Sequence, residues 1–183
     1  MPKIALYAGS FDPITKGHLD IIKRSLDIFD KLIIVINTNL KKNHMFSLNM
    51  RKHLLNIALM DLDSTKYGSD RIEIILNDDE LTVDIAKRHN AKYLVRGLRM
   101  VSDFEYEMQL EAGNKSLSNT KEFELDTVFL IAPHELSFVS SSSVREILMY
   151  SKHLTNEDLM KSLSPYVPSG IFMDVLLGRK INI

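Results

Sequence analysis

Residues 10–18 read SFDPITKGH and follow directly on the apolar run KIALYAG. A Gly-His pair where a strand hands over to a helix brings an imidazole beside a turn whose backbone N–H groups have no helical partner. Gly17 lets a ligand approach the backbone closely, the amides of the first turn favour an anion, and His18 adds one side-chain donor. For a lone GH pair the plainer reading is a helix start carrying a surface histidine. A second polar stretch, VSSSSVR at residues 139–145, opens another predicted helix. Ser143 and Glu146 have capping-box spacing, which leaves Ser140, Ser141 and Ser142 facing the loop, where hydroxyls and amides can hold phosphate oxygens. A third stretch, RGLR at residues 96–99, sets Arg96 and Arg99 around Gly97 and Leu98. Guanidinium groups meet phosphate with a planar fork of donors; the alternative for this pair is an ion pair with Asp103 or Glu105. Lys42, in KKNHMF, is by itself a solvated loop cation.

Other chemistries find little support. The chain has no cysteine, which removes disulfides, thiolate metal sites and cysteine nucleophiles. His44, His53, His89, His134 and His153 are scattered without metal-ligand spacing. With 23 Lys and Arg against 24 Asp and Glu, net charge −1, no global field recruits nucleic acid or an acidic membrane, so any anion site is local. The first residues are too short an apolar run for a secretory signal, and no stretch approaches the roughly 20 apolar residues of a membrane span. A cytoplasmic location is expected.

These stretches need elements to position them. Residues 3–8, 31–36, 72–76, 92–97 and 127–132 are apolar and β-branched throughout, as strands buried on both faces are. Between them, residues 19–29, 47–62, 81–89 and 102–117 carry apolar residues at three- and four-residue spacing, and Ser102 with Glu105 has the spacing of a capping box. Phe104, Met108 and Leu110 share that spacing and read as core, a ligand contact by Met108 and Leu110 being the alternative. Strand alternating with helix predicts an α/β fold, a doubly wound five-stranded parallel sheet whose ligands gather at the carboxyl ends of its strands. Every stretch singled out above falls at such an end. Residues 61–71 are polar and read as a loop. C-terminal helices follow: one from about residue 143, then pieces at 156–163 and 169–178 separated by Pro165 and Pro168. At 183 residues a single domain is expected, with a catalytic core over about 1–150 and a helical extension over 151–183.

The order Thr15, Lys16, Gly17, His18 after the first strand resembles the first signature of the nucleotidyltransferase superfamily, and VSSSSVR resembles the second. The wider runs SFDPITKGHLDII, YLVRGLRMVSDFEYEMQL and LSFVSSSSVRE resemble the pantetheine-phosphate adenylyltransferases of bacterial coenzyme A synthesis. The resemblance implies a Rossmann-like fold and transfer of the adenylyl group of ATP to 4′-phosphopantetheine, giving dephospho-coenzyme A and pyrophosphate. The acceptor is a phosphate monoester already mostly ionised near neutral pH, its second pKa being about 6, so no general base is needed. Catalysis reduces to aligning two anions and stabilising charge on the α-phosphoryl oxygens. By resemblance His18, Lys42, Arg96 and Ser10 are catalytic, and Ser10, Lys42, Thr82 and Arg96 meet the acceptor. ATP falls to Ser10, Phe11, His18, Gly97, Leu98, Arg99, Glu107 and the run Leu136, Ser137, Phe138, Val139, Ser140, Ser141, Ser142. Ser10 stands where threonine is common, and Leu136 where many relatives carry tryptophan. Mg²⁺ is expected to be held mainly by ATP phosphates and water, with no dedicated protein metal site, and a homohexamer is implied. The rivals are the same chemistry on another acceptor, such as nicotinamide mononucleotide, and a non-catalytic nucleotide-binding module.

Overall fold

The computed structural model describes residues 1–38, 43–151 and 153–181. Five strands, β1 (Ile4–Gly9), β2 (Lys31–Asn37), β3 (Ile72–Asn77), β4 (Tyr93–Leu98) and β5 (Asp126–Ile131), form one parallel sheet in the order β3-β2-β1-β4-β5. Each lies within one residue of the run predicted for it. Alternate residues of the central strands serve opposite layers. Ala5, Tyr7, Leu32, Ile34 and Ile36 join the larger core, whereas Leu6, Ala8, Ile33 and Val35 join the smaller one. That two-sided burial is why these strands read as unbroken apolar runs.

Helices α1 (Lys16–Ile28), α2 (Leu48–Met60), α6 (Ser141–Tyr150), α7 (Asn156–Leu163) and α8 (Phe172–Ile181) supply the larger core. The smaller takes Val83, Ile85 and Ala86 from α4 (Thr82–Arg88). The remaining helices are α3 (Ser64–Tyr67) and α5 (Val101–Thr120). The chain runs outward from β1 through β2 to β3, then returns to the other side of β1 for β4 and β5. The switch in direction opens a crevice at the carboxyl ends of β1 and β4, where ligands of this architecture bind. Gly97 lets α1 close on β4: a Cβ there would lie 3.1 Å from the Ile21 side chain.

Four expectations change. Residues 61–71 are not all loop, since Asp63 caps α3 by accepting the Thr65 N–H and a 3₁₀ turn follows at Ser69–Arg71. The C-terminal piece begins as a 3₁₀ turn, Ser169–Ile171, before α8. Ser102 caps nothing: α5 starts at Val101 after Met100, and Asp103 accepts the Arg99 N–H instead. Phe104, Met108 and Leu110 are exposed, and Ser118 is the buried residue of α5. The helix touches α4 and β4 at the sheet margin, so one side of it faces outward. Among the described residues no helix is long and apolar enough to cross a membrane.

Candidate active site

A cleft of about 490 Å³ opens where the sequence arguments converge, at the ends of β1, β2 and β4 and the starts of α1 and α6. Thr15 caps α1: its hydroxyl accepts the His18 N–H at 3.4 Å, and the His18 ring reaches back to the Thr15 backbone, Nδ1 accepting that N–H at 3.1 Å. An amide can only donate, so the proton of the neutral imidazole sits on Nε2, leaving that nitrogen as a donor. The ring packs against Phe11 with centroids 5.0 Å apart and lies 6.4 Å from Tyr7, while the residue still lines the cleft. This burial, helped by the positive charge of Arg99, lowers the His18 pKa to about 4. His18 therefore stays an uncharged N–H donor near neutral pH.

Phe11 holds that arrangement from below. Its φ of 46° is in the left-handed region, a cost of about 1–3 kcal/mol for a non-glycine residue, and its ring is buried between Tyr7 and His18. A side chain so placed supports the imidazole and does not face the cleft. The first-turn amides are also less open than expected, because Lys16 N–H donates to Tyr166 O at 2.8 Å and His18 N–H to the Thr15 cap.

The second loop touches the first. Ser141 Oγ donates to Pro13 O at 2.7 Å, and Arg145 joins Asp12 O at 2.6 Å to Ser142 Oγ at 3.1 Å. Val139, Ser140, Ser141 and Ser142 line the cleft. The cap of α6 is Ser140, not Ser143: Ser140 is extended, and its hydroxyl accepts the Ser143 N–H at 3.0 Å. In a serine run several positions could cap equally well, and burial of Val139 just before Ser140 fixes the helix start. Leu136, Ser137 and Phe138 do not reach the cleft. Leu136 borders a separate hollow with Lys16 and Phe172, Ser137 Oγ donates to His134 O, and Phe138 packs edge-on against Tyr166. Leu98 is buried and does not line the cleft.

Ser10, Thr82, Arg96, Gly97, Arg99 and Glu107 all line the cleft, as expected. Arg96 and Glu107 are partners, however: Nε and Nη2 of Arg96 donate to the two carboxylate oxygens at 2.5 and 2.7 Å, and Nη1 to Ala8 O at 3.0 Å. Burial pulls the Arg96 pKa down, and the hydrogen bonds and charge of Glu107 more than offset it, so the net direction is up. Arg99 pairs with Asp103, the alternative that the sequence left open. Lys42 lies outside the described residues.

Sequence reasoning missed two buried charges at the cleft, Asp12 on its border and Arg51 behind it. Arg51 is 1% exposed and donates through Nη1 to Ser10 O at 2.8 Å and Asn37 O at 3.0 Å, tying the ends of β1 and β2 together. Burial lowers its pKa, against the pull of Asp12 and Asp78. Its place on the buried stripe of Arg51, Leu54, Leu55 and Ala58 was a readable signal, since a charge at core spacing demands partners. Asp12 left no such sign.

An open parallel sheet whose crevice gathers a neutral imidazole, hydroxyls and guanidinium groups defines a nucleotide-transferring class, and a family model described as cytidylyltransferase-like matches residues 6–147. A phosphopantetheine adenylyltransferase of Thermotoga neapolitana is 47% identical over 97% of this chain and 99% of the relative, and one of Streptococcus suis is 42% identical over 91% and 90%. The chain belongs to the phosphopantetheine adenylyltransferase family. The solved structure of Plasmodium falciparum nicotinic acid mononucleotide adenylyltransferase complexed with NaAD superposes with a TM-score of 0.67 at 20% identity, covering 98% of this chain and 96% of the other, and shares the fold.

Proposed function

We propose that the chain transfers the adenylyl group of ATP to 4′-phosphopantetheine, the penultimate step of coenzyme A synthesis, in the cytoplasm. The observation that carries the reading is the junction of the two loops, where Ser141 meets Pro13 and Arg145 bridges Asp12 to Ser142 on one wall of a cleft that His18 also lines. Such a junction can grip one triphosphate from both sides. An oxygen of the acceptor phosphate forms a bond to the α-phosphorus of ATP as the bond from that phosphorus to the β-phosphate bridging oxygen breaks, in line and without a covalent enzyme intermediate. No proton need be removed from an ionised phosphate, which suits a cleft whose histidine is a donor. Nε2–H of His18 stabilises the charge gathering on the α-phosphoryl oxygens.

Ser140, Ser141, Ser142 and Arg145 take the β- and γ-phosphates, while Gly97 and Arg99 border the nucleotide. Ser10, Thr82 and Arg96 take the acceptor, with Lys42 by resemblance; Glu107 aims Arg96. The donor set of hydroxyls, guanidinium groups and imidazole suits phosphate oxygens, so Mg²⁺ would come bound to the triphosphate, neutralising the charge of the departing pyrophosphate. A homohexamer completes the reading: Phe104 and Met108 are exposed on α5 beside edge strand β5, apolar surface that assembly would cover, while Tyr106 and Leu110 of the same helix line the cleft.

The choice of acceptor rests on the names of the 42–47% identical relatives. Its test is pyrophosphate release from ATP with a panel of phosphorylated acceptors. Release with phosphopantetheine alone is expected. Release only with nicotinamide mononucleotide would change the acceptor, and ATP binding without release would leave a nucleotide-binding module.

A further inference from the structure

We propose that Asp12 is a positioning residue for this transfer, its buried carboxylate holding residues 43–46 as the acceptor-side wall of the cleft. The inference rests on the reading just given. Each carboxylate oxygen accepts a backbone N–H from a distant segment: Oδ2 from Met45, 33 residues away, and Oδ1 from Phe46, 34 residues away, both at 2.9 Å. The Phe46 side chain is fully buried, which anchors the segment on its far side, and Asn43 and His44 line the cleft. His44 Nδ1 and Arg145 Nη1 stand 3.4 and 3.7 Å from Oδ2, and the charge of Arg51 adds to the compensation. Asp12 borders the cleft, but its side chain is 2% exposed and both carboxylate oxygens are engaged, so its carboxylate acts on the substrates through the wall.

The two sides of the cleft depend on Asp12 through different atoms, which makes the inference testable. Arg145 is held chiefly by the Asp12 backbone carbonyl, at 2.6 Å, and the Ser141 to Pro13 bond does not involve the carboxylate. Removing one carboxylate oxygen therefore loosens the 43–46 wall and spares the triphosphate side. In Asp12→Asn an amide N–H faces a backbone N–H, and one of the two anchoring bonds is lost.

The test is steady-state kinetics of Asp12→Asn beside the unaltered protein. The KM for phosphopantetheine is expected to rise about tenfold or more, with the KM for ATP within about twofold and the larger part of the loss in KM, not kcat. An unchanged acceptor KM, or equal rises for both substrates, overturns the inference. If the unaltered protein releases no pyrophosphate with phosphopantetheine, it is the functional reading that fails. A second measurement, needing neither substrate nor a folded variant, is amide hydrogen exchange in the unaltered protein. Met45 and Phe46 amides should be protected although they lie outside helix and strand, and rapid exchange at both would overturn the proposal.

Discussion

Replacing His18 with alanine separates the two consequences of its half-buried, neutral state. In the folded chain the imidazole has a pKa of about 4, against the ordinary 6.5 it regains on unfolding. Between those pH values the unfolded chain binds a proton that the folded chain does not, so stability falls as pH drops through 6.5 and levels off near 4. Linkage over that shift amounts to about 2 kcal/mol between pH 7 and pH 5. At pH 7 the variant loses the bond from Thr15 N–H and the ring contact with Phe11, a cost of about 1–2 kcal/mol. The two denaturation curves should therefore cross: His18→Ala is the less stable at pH 7 and equals or exceeds the parent at pH 5. The assay is urea unfolding of both proteins at both pH values and one protein concentration, so that the other histidines and any assembly cancel in the comparison. Turnover should fall by about 10²–10³ at pH 7, as expected for one lost transition-state donor. Equal pH slopes in the two proteins would show that the imidazole titrates normally and is not held as a neutral donor by the fold. Near-normal turnover would remove His18 from the chemistry whatever the slopes.

Two further outcomes follow from the paired charges around the cleft. Arg51→Met removes the donor shared by Ser10 O and Asn37 O and a counter-charge to Asp12, and should lower stability by about 3 kcal/mol in urea unfolding; a loss below about 1 kcal/mol would mean that those carbonyls find other donors. Glu107→Gln keeps one acceptor oxygen and loses the charge and the other of the two bonds that aim Arg96, so the KM for the phosphorylated acceptor should rise about fivefold while ATP use is largely kept. A loss confined to ATP would place Glu107 with the nucleotide, as the family resemblance first had it.

Much of this molecule can be read along the chain. All five strands lie within a residue of their predicted spans, because a strand buried on both faces is an unbroken β-branched run and needs no distant partner to announce itself. His18, Arg96, Gly97, Arg99, Thr82 and the Ser140–Ser142 hydroxyls do share one cleft, since a parallel sheet presents every strand's carboxyl end on the same edge. Local spacing also indicated the kinds of donors, amide, hydroxyl, imidazole and guanidinium, and hence an anion as ligand.

Which of those donors are already engaged was decided only by folding. Arg96 meets Glu107 across a strand-to-helix turn, Tyr166 from the C-terminal segment takes the Lys16 amide, and Val139 sinks into the core and makes Ser140 the cap. Phe11 turns inward in a left-handed conformation that residue type does not favour, and Asp12 becomes the anchor of a segment more than thirty residues away. Periodicity and capping are properties of a few consecutive residues, so the chain carries them openly. The partner of a buried polar group is whichever complementary atom the packed elements bring within about 3 Å, and that distance does not exist until the sheet and its helices have closed.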